Sequence, residues 1–251
     1  MPTETLHFAG STGARLEGAL HTPEGPARGS VLLAHCFTCS KDLHTMTRLA
    51  RGLAEAGYAV LRFDFTGLGD SGGDFGETSI SHDVRDLVAA ATTLIERGYG
   101  PCGLLGHSLG GAASLLAAER LRTVRSIVVL GAPSTASHVR RLVAEHEPTI
   151  RAEGRATVTI AGRSFPIGVG FLDDLDAHDQ LDHITALNRP LLVVHAVDDA
   201  TVPVTEGERI FAAAEQPKGF VPLLGTDHLL QAREAAEDAL SVIADWFDRT
   251  L

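Results

Sequence analysis

The stretch Cys102-Gly103-Leu104-Leu105-Gly106-His107-Ser108-Leu109-Gly110-Gly111-Ala112-Ala113-Ser114-Leu115-Leu116 decides how this chain is read. An apolar run leads into the pattern G-x-S-x-G, and small, helix-favouring residues follow it. That strand–turn–helix context is what gives the pattern chemical meaning, as a nucleophile elbow. A sharp turn at Ser108 strains its backbone and lifts its hydroxyl clear of the sheet. Gly106 and Gly110 leave room where the strand and the helix nearly touch. A hydroxyl is a weak nucleophile at its free pKa, so Ser108 needs a His base and an acid that orients the base.

Both are present downstream. The strand-like run Pro190-Leu191-Leu192-Val193-Val194-His195 continues into Ala196-Val197-Asp198-Asp199-Ala200-Thr201-Val202-Pro203. A carboxylate just past a strand end stands on rigid scaffold at the rim of a sheet, and Asp198 and Asp199 compete for that role. The base is His228, in Leu223-Leu224-Gly225-Thr226-Asp227-His228, which also follows an apolar segment and precedes the last helix.

The rest of the chain alternates. Leu6 to Phe8 and Leu16 to Leu20 read as an N-terminal hairpin around Gly10-Ser11-Thr12-Gly13, and Val31 to Ala34 as a buried strand. Leu43 to Glu55 has helical spacing at Met46, Leu49, Ala50 and Leu53, and Tyr58 to Phe63 is the next strand. A glycine-rich loop, Asp64 to Gly76, leads to a helix over Ser79 to Arg97, and Ser126 to Leu130 is a strand after the elbow helix. A last strand from Lys218 and a helix over Leu229 to Asp248, with Trp246 and Phe247 packed inward, close the chain. Strand and helix in alternation predict a mostly parallel central sheet with helices on both faces. Between Pro133 and Asn188 the alternation lapses into charged, irregular sequence with a small hairpin turning at Gly162. Residues 133–188 are therefore expected to form a cap over the carboxyl edge of the sheet, where open α/β folds bind ligands. The core is assigned to 1–132 and 189–251.

The order Ser108…Asp199…His228 is that of the α/β-hydrolase superfamily, which the chain resembles over nearly its whole length. The D-x-x-V-P pattern of related enzymes fits Asp199, Val202 and Pro203 and favours Asp199 over Asp198. The segments His35-Cys36-Phe37-Thr38-Cys39-Ser40-Lys41-Asp42 and Phe63-Asp64-Phe65-Thr66-Gly67-Leu68-Gly69-Asp70-Ser71 look like the hydrolase domain that bacteria often fuse to an OsmC-like domain. The sequence departs from the fused form in ending at Leu251, so a redox role borrowed from such a domain is not expected, and an OsmC-like protein is a candidate partner only. The resemblance also implies an oxyanion hole. Relatives carry His-Gly-x after the third strand; here His35, Cys36 and Phe37 match. The donors would be the backbone N–H groups of Phe37 and Leu109, with Cys36 in place of the usual Gly.

Twenty-one basic against 32 acidic residues give a formal charge of −11. That disfavours nucleic acid and anionic membrane surfaces as partners. The N-terminus lacks the basic and apolar regions of a signal peptide, and no apolar run approaches the roughly 20 residues of a membrane span. A cytoplasmic protein with its three cysteines reduced is the expectation. Cys36-Phe37-Thr38-Cys39 is nonetheless a C-x-x-C, with a redox pair as its alternative reading. His35 is expected to brace its loop, and His107 to point away from Ser108. Gly67-Leu68-Gly69 is too short for a dinucleotide fingerprint, and Asp70 to Asp74 lacks calcium-loop spacing.

These residues predict a serine esterase that cleaves small to medium carboxylic esters through an acyl-enzyme, with no cofactor and no metal. Thioester or peptide hydrolysis, and a weakly catalytic binding or redox role using Cys36 and Cys39, are the alternatives. The expected partner is a small-molecule ester; a homodimer and an OsmC-like protein are the macromolecular candidates.

Overall fold

A computed structural model describes residues 2–100, 102–178 and 180–251. In chain order its first half runs β1 (Thr3–Ala9), β2 (Arg15–His21), β3 (Gly29–Ala34), α1 (His44–Glu55), β4 (Tyr58–Phe63), α2 (Ile80–Glu96), β5 (Cys102–His107), α3 (Leu109–Ala117) and β6 (Val124–Leu130). Then come α4 (Glu147–Glu153), β7 (Arg155–Ile160), β8 (Arg163–Gly168), α5 (Val169–Asp176), α6 (Gln180–Thr185), β9 (Leu191–Ala196), α7 (Val204–Ala213), β10 (Lys218–Leu223) and α8 (Arg233–Thr250).

Among the described residues eight strands form one sheet in the order β1-β2-β4-β3-β5-β6-β9-β10. From β4 to β10 every pairing is parallel, and the β1–β2 hairpin adds to β4 antiparallel. Parallel strands buried on both faces read as continuous apolar runs, which is why β3, β5 and β9 show no alternation in sequence. The pleat still divides them. Leu32 and Ala34 pack with α2 and α3 on one face, while Val31 and Leu33 pack with α1 and α8 on the other. This is the α/β-hydrolase fold.

The chain runs from β3 outward to β4 on one side, then from β5 through β6 and β9 to β10 on the other. The order therefore reverses between β3 and β5, and a crevice opens there beyond the carboxyl ends of the strands. The loop after β3 carries His35 to Phe37, and the turn after β5 carries Ser108. Topology alone brings these two segments together.

Residues 133–188 hold a 3-10 segment, Ala136–Leu142, then α4, the β7–β8 hairpin, α5 and α6. The hairpin turns at Ala161 and Gly162, both at positive φ. Its side chains reach the loops that follow β3 and β4: Phe165 meets Phe75 edge to face, and the Arg163 guanidinium donates to the Thr38 carbonyl at 3.2 Å. α6 packs against α3 and α7.

Three expectations need adjustment. The final helix starts at Arg233 rather than Leu229, because Leu230 takes a positive φ and the Asp227 carboxylate holds the Gln231 N–H at 3.1 Å. Trp246 is only half-buried, its indole N–H donating to the Ser126 hydroxyl, whereas Phe247 is fully buried. Helix α7 lies where the sequence shows no helical spacing, since Glu206 and Gly207 interrupt its apolar positions.

Candidate active site

Ser108 lies in the turn between β5 and α3 with φ 55° and ψ −124°, a region that L-residues rarely occupy. The fold holds it there with its N–H donating to the Leu130 carbonyl at 2.9 Å and its carbonyl accepting from Gly111 and Ala112. The flanking glycines are obligatory for close approach. A Cβ on Gly106 would stand 2.5 Å from the Gly110 carbonyl oxygen, and one on Gly110 would stand 2.3 Å from that of His35.

The three sequence candidates meet. His228 Nε2 is 3.0 Å from Ser108 Oγ, and His228 Nδ1 is 2.6 Å from Asp199 Oδ2. Asp199 Oδ1 accepts from the N–H groups of Thr201 and Val202, both at 2.8 Å, which fixes the carboxylate plane. Burial pushes the Asp199 carboxyl up, but the hydrogen bonds and attraction from His228 and the two amides outweigh it and leave it below the usual carboxylate range. Asp198 is exposed. Gly131 makes room for the pair: a Cβ there would lie 3.3 Å from His228 Nδ1 and 3.4 Å from Asp199 Oδ2.

Phe37 and Leu109 border the same cleft as Ser108. Neither N–H has a protein acceptor among the described residues, since Phe37 lies in a turn and Leu109 opens α3. Free backbone donors at a cleft that also holds a hydroxyl are the kind of group that can stabilise an anion. An ion cluster lies next to this loop in sequence and in space, at Lys41. Buried Lys41 reaches Asp64 at 2.9 Å and Glu17 at 3.3 Å, and its backbone N–H donates to Asp64 at 2.6 Å. Burial opposes the Lys41 charge, yet the carboxylates raise its pKa far above the ordinary lysine value. Nothing along the chain joins Glu17, Lys41, Asp64 and Asp70, so this cluster is legible only in three dimensions.

Cys36 and Cys39 are joined in a disulfide, which overturns the expectation of reduced thiols. The reason is local. A turn with Cys39 N–H donating to Cys36 O at 3.1 Å brings the Cα atoms to 5.3 Å, within the range a disulfide spans. The bridge closes over Phe37 and Thr38, and Thr38 takes φ 59°. Cys102 is a buried free thiol whose pKa burial pushes up to about 12.

Two further histidines, both buried, back the three central residues. His107 Nε2 is 2.8 Å from the His228 carbonyl, and burial with the neighbouring imidazole pushes its pKa down to about 3. That contact ties its ring to the backbone of His228. His195 Nε2 donates to the Val202 carbonyl at 2.9 Å, with its pKa lowered by burial. His35 braces its own loop, 2.9 Å from the Cys36 carbonyl. Among the described residues no cluster of His, Cys, Asp and Glu has the arrangement of a metal site, and no helix is long and apolar enough to cross a membrane.

The cleft over Ser108 has a volume of about 330 Å³. Its walls are chiefly apolar, with Pro133, Val139 and Leu142 from the 133–188 segment facing Val202 and Pro203.

The chain as a whole is similar to known proteins. Residues 25–166 match the family model described as "Serine aminopeptidase, S33". The esterase domain of a Rhodothermus marinus protein is 37% identical, with a TM-score of 0.82, and the match covers 100% of this chain and 99% of that one. A monoacylglycerol lipase of Mycolicibacterium smegmatis is 27% identical over 81% of both chains. A lysophosphatidylserine lipase of Danio rerio is 31% identical over 69% of this chain, which spans only 44% of that relative's length.

Proposed function

This chain belongs to the serine aminopeptidase family of α/β-hydrolases, and from that premise we propose that it is a serine esterase acting on small to medium carboxylic esters. Ser108 Oγ attacks the ester carbonyl as His228 Nε2 takes its proton. Asp199 holds the imidazole in the tautomer with its proton on Nδ1 and stabilises the imidazolium that forms. The carbonyl oxygen becomes an oxyanion, bound by the N–H groups of Phe37 and Leu109. Loss of one such donor typically costs about 2.7–4 kcal/mol of transition-state stabilisation. Collapse breaks the ester C–O bond, and His228 gives its proton to the leaving alcohol. Water, deprotonated by His228, then attacks the acyl-Ser108 ester and releases the acid. The 133–188 segment acts as a cap whose side chains size the pocket.

The observation that carries this reading is the unbroken hydrogen-bonded line from Asp199 through His228 to Ser108, ending beside two acceptor-free amides. Esters are favoured over N-terminal peptides by charge. An aminopeptidase must hold a substrate ammonium, and no carboxylate lines this cleft among the described residues.

The test is hydrolysis of p-nitrophenyl esters of graded acyl length, beside aminoacyl p-nitroanilides, by the native protein and Ser108→Ala. Ester turnover that vanishes in Ser108→Ala, with a cutoff at medium acyl length, supports the proposal. Dominant anilide turnover, or ester turnover that survives in the variant, overturns it.

A further inference from the structure

Arg141 is the one formally charged side chain among the described residues lining the cleft over Ser108. The chain carries a net charge of −11, yet among the described residues no carboxylate lines the cleft. The contrast with the adjacent residue is informative. Arg140 points away and is bound at 2.7 Å to Asp176, whereas Arg141 has no carboxylate partner among the described residues.

Arg141 is also held in place. It lies in the 3-10 segment Ala136–Leu142, where side chains three apart eclipse, so it stands directly over His138. Arg141 Nη2 lies against both ring nitrogens of His138, nearest to Nε2 and 3.0 Å from Nδ1, and His138 Nε2 is 3.2 Å from the Thr201 carbonyl. Thr201 in turn donates its N–H to Asp199. The guanidinium is thus propped on an imidazole tied to the loop of the candidate acid. Its Nε and Nη1 donors have no protein acceptor among the described residues.

We propose that this site takes esters bearing a second, anionic group, a carboxylate or a phosphate, and that Arg141 selects them. The proposal rests on the esterase reading of Ser108. A planar guanidinium matches carboxylate and phosphate oxygens with two parallel N–H donors, so it reads the geometry of the anion as well as its charge. Bound substrate expels water from an otherwise apolar cleft and strengthens that contact. The net negative charge of the molecule opposes anions only at long range, and salt near 0.15 M screens it beyond about 8 Å. Selection therefore resides in contact with Arg141, not in steering.

The experiment compares kcat/KM at 0.15 M salt for two matched pairs. The first is the p-nitrophenyl monoester of glutaric acid against p-nitrophenyl valerate, with the carboxylate on the acyl side. The second is butanoyl-glycerol 3-phosphate against monobutyrin, with the phosphate on the alcohol side. The readout is the anionic-to-neutral ratio within each variant, which cancels any loss of folded enzyme. The native ratio is expected to exceed tenfold in at least one pair. It should fall at least tenfold in Arg141→Ala, partly recover in Arg141→Lys, and drop below one in Arg141→Glu. The pair that responds identifies which anion is bound. Ester hydrolysis with a native ratio near one in both pairs, or a ratio kept in Arg141→Ala, overturns the proposal and leaves the esterase reading standing. Absence of turnover on all four substrates, with p-nitrophenyl acetate also refused, overturns both.

Discussion

Phe37 stacks on Phe171, with ring centroids 5.3 Å apart and an interplanar angle of 19°. One ring belongs to the loop after β3 that offers the Phe37 N–H to the cleft; the other lies on α5 in the 133–188 segment. Phe75 closes on the first ring from the side at 5.7 Å. In the mechanism proposed above, this stack ties the oxyanion donor to the 133–188 segment. Phe171→Ala should destabilise the protein by about 3–5 kcal/mol, the usual loss for a buried Phe. Phe171→Leu keeps much of the volume and removes the stack, at about 0.5–1.5 kcal/mol. We expect Phe171→Leu to lower kcat with little change in KM, because an oxyanion donor acts mainly in the transition state. Urea unfolding with steady-state ester kinetics tests this, and an unchanged kcat in Phe171→Leu would sever the link.

The two neighbouring aspartates should separate cleanly. Asp199→Asn leaves the shape of the site but removes the acceptor that fixes the His228 tautomer, and kcat should fall by about 10⁴-fold. Asp198→Asn alters an exposed side chain and should stay within about twofold. Equal losses in the two variants would mean the acid is misassigned.

Ser108 carries backbone strain that its hydroxyl does not explain. Ser108→Ala and Ser108→Gly both remove Oγ, so the difference in their stability reports φ 55° alone. A non-glycine residue in such a region costs about 1–3 kcal/mol, partly offset by the greater unfolded-chain entropy of Gly. Ser108→Gly should be more stable than Ser108→Ala by roughly 1 kcal/mol. Thermal and urea unfolding of the pair would show it; a less stable glycine variant would remove strain from the account.

Acid should unfold this protein through its buried histidines. His107 is pushed down to about 3 and His21 to about 4, both mainly by burial, with His21 accepting the Arg62 Nε–H at 3.0 Å. Below about 6.5 the unfolded chain protonates these rings while the folded one does not. More protons are then bound in the unfolded state, so stability falls as pH drops from about 6.5 towards 4, continuing to about 3 for His107. Each such group adds a slope of up to about 1.4 kcal/mol per pH unit. His107→Gln retains a donor for the His228 carbonyl and cannot titrate, so its stability profile should be flatter between pH 6 and 4 by about that slope. A profile parallel to the native one would show that His107 is not involved.

Much of this molecule was legible along the chain, for reasons that are local. The G-x-S-x-G turn needs Gly106 and Gly110 wherever it occurs, because a Cβ at either would collide with backbone. The parallel strands appear as unbroken apolar runs because both faces are covered. Ser108, Asp199 and His228 could be picked out because each follows a strand end, and strand ends converge at one edge of a parallel sheet.

What the tertiary structure decided depends on neighbours that sequence order does not reveal. The resemblance to the D-x-x-V-P pattern of related enzymes favours Asp199 over Asp198, but the two amides that hold its carboxylate and the hydrogen bond to His228 exist only after folding. The Cys36–Cys39 bridge depends on a turn that brings two Cα atoms close, and a C-x-x-C pattern can also leave them apart. The Lys41 cluster draws Glu17, Asp64 and Asp70 from three separate segments. Arg140 and Arg141 are identical in type and adjacent, yet a 3-10 turn sends one to Asp176 and the other to the cleft. Sequence determines which side chains are available and which local turns they favour; only packing in three dimensions assigns each charge its partner or leaves it without one.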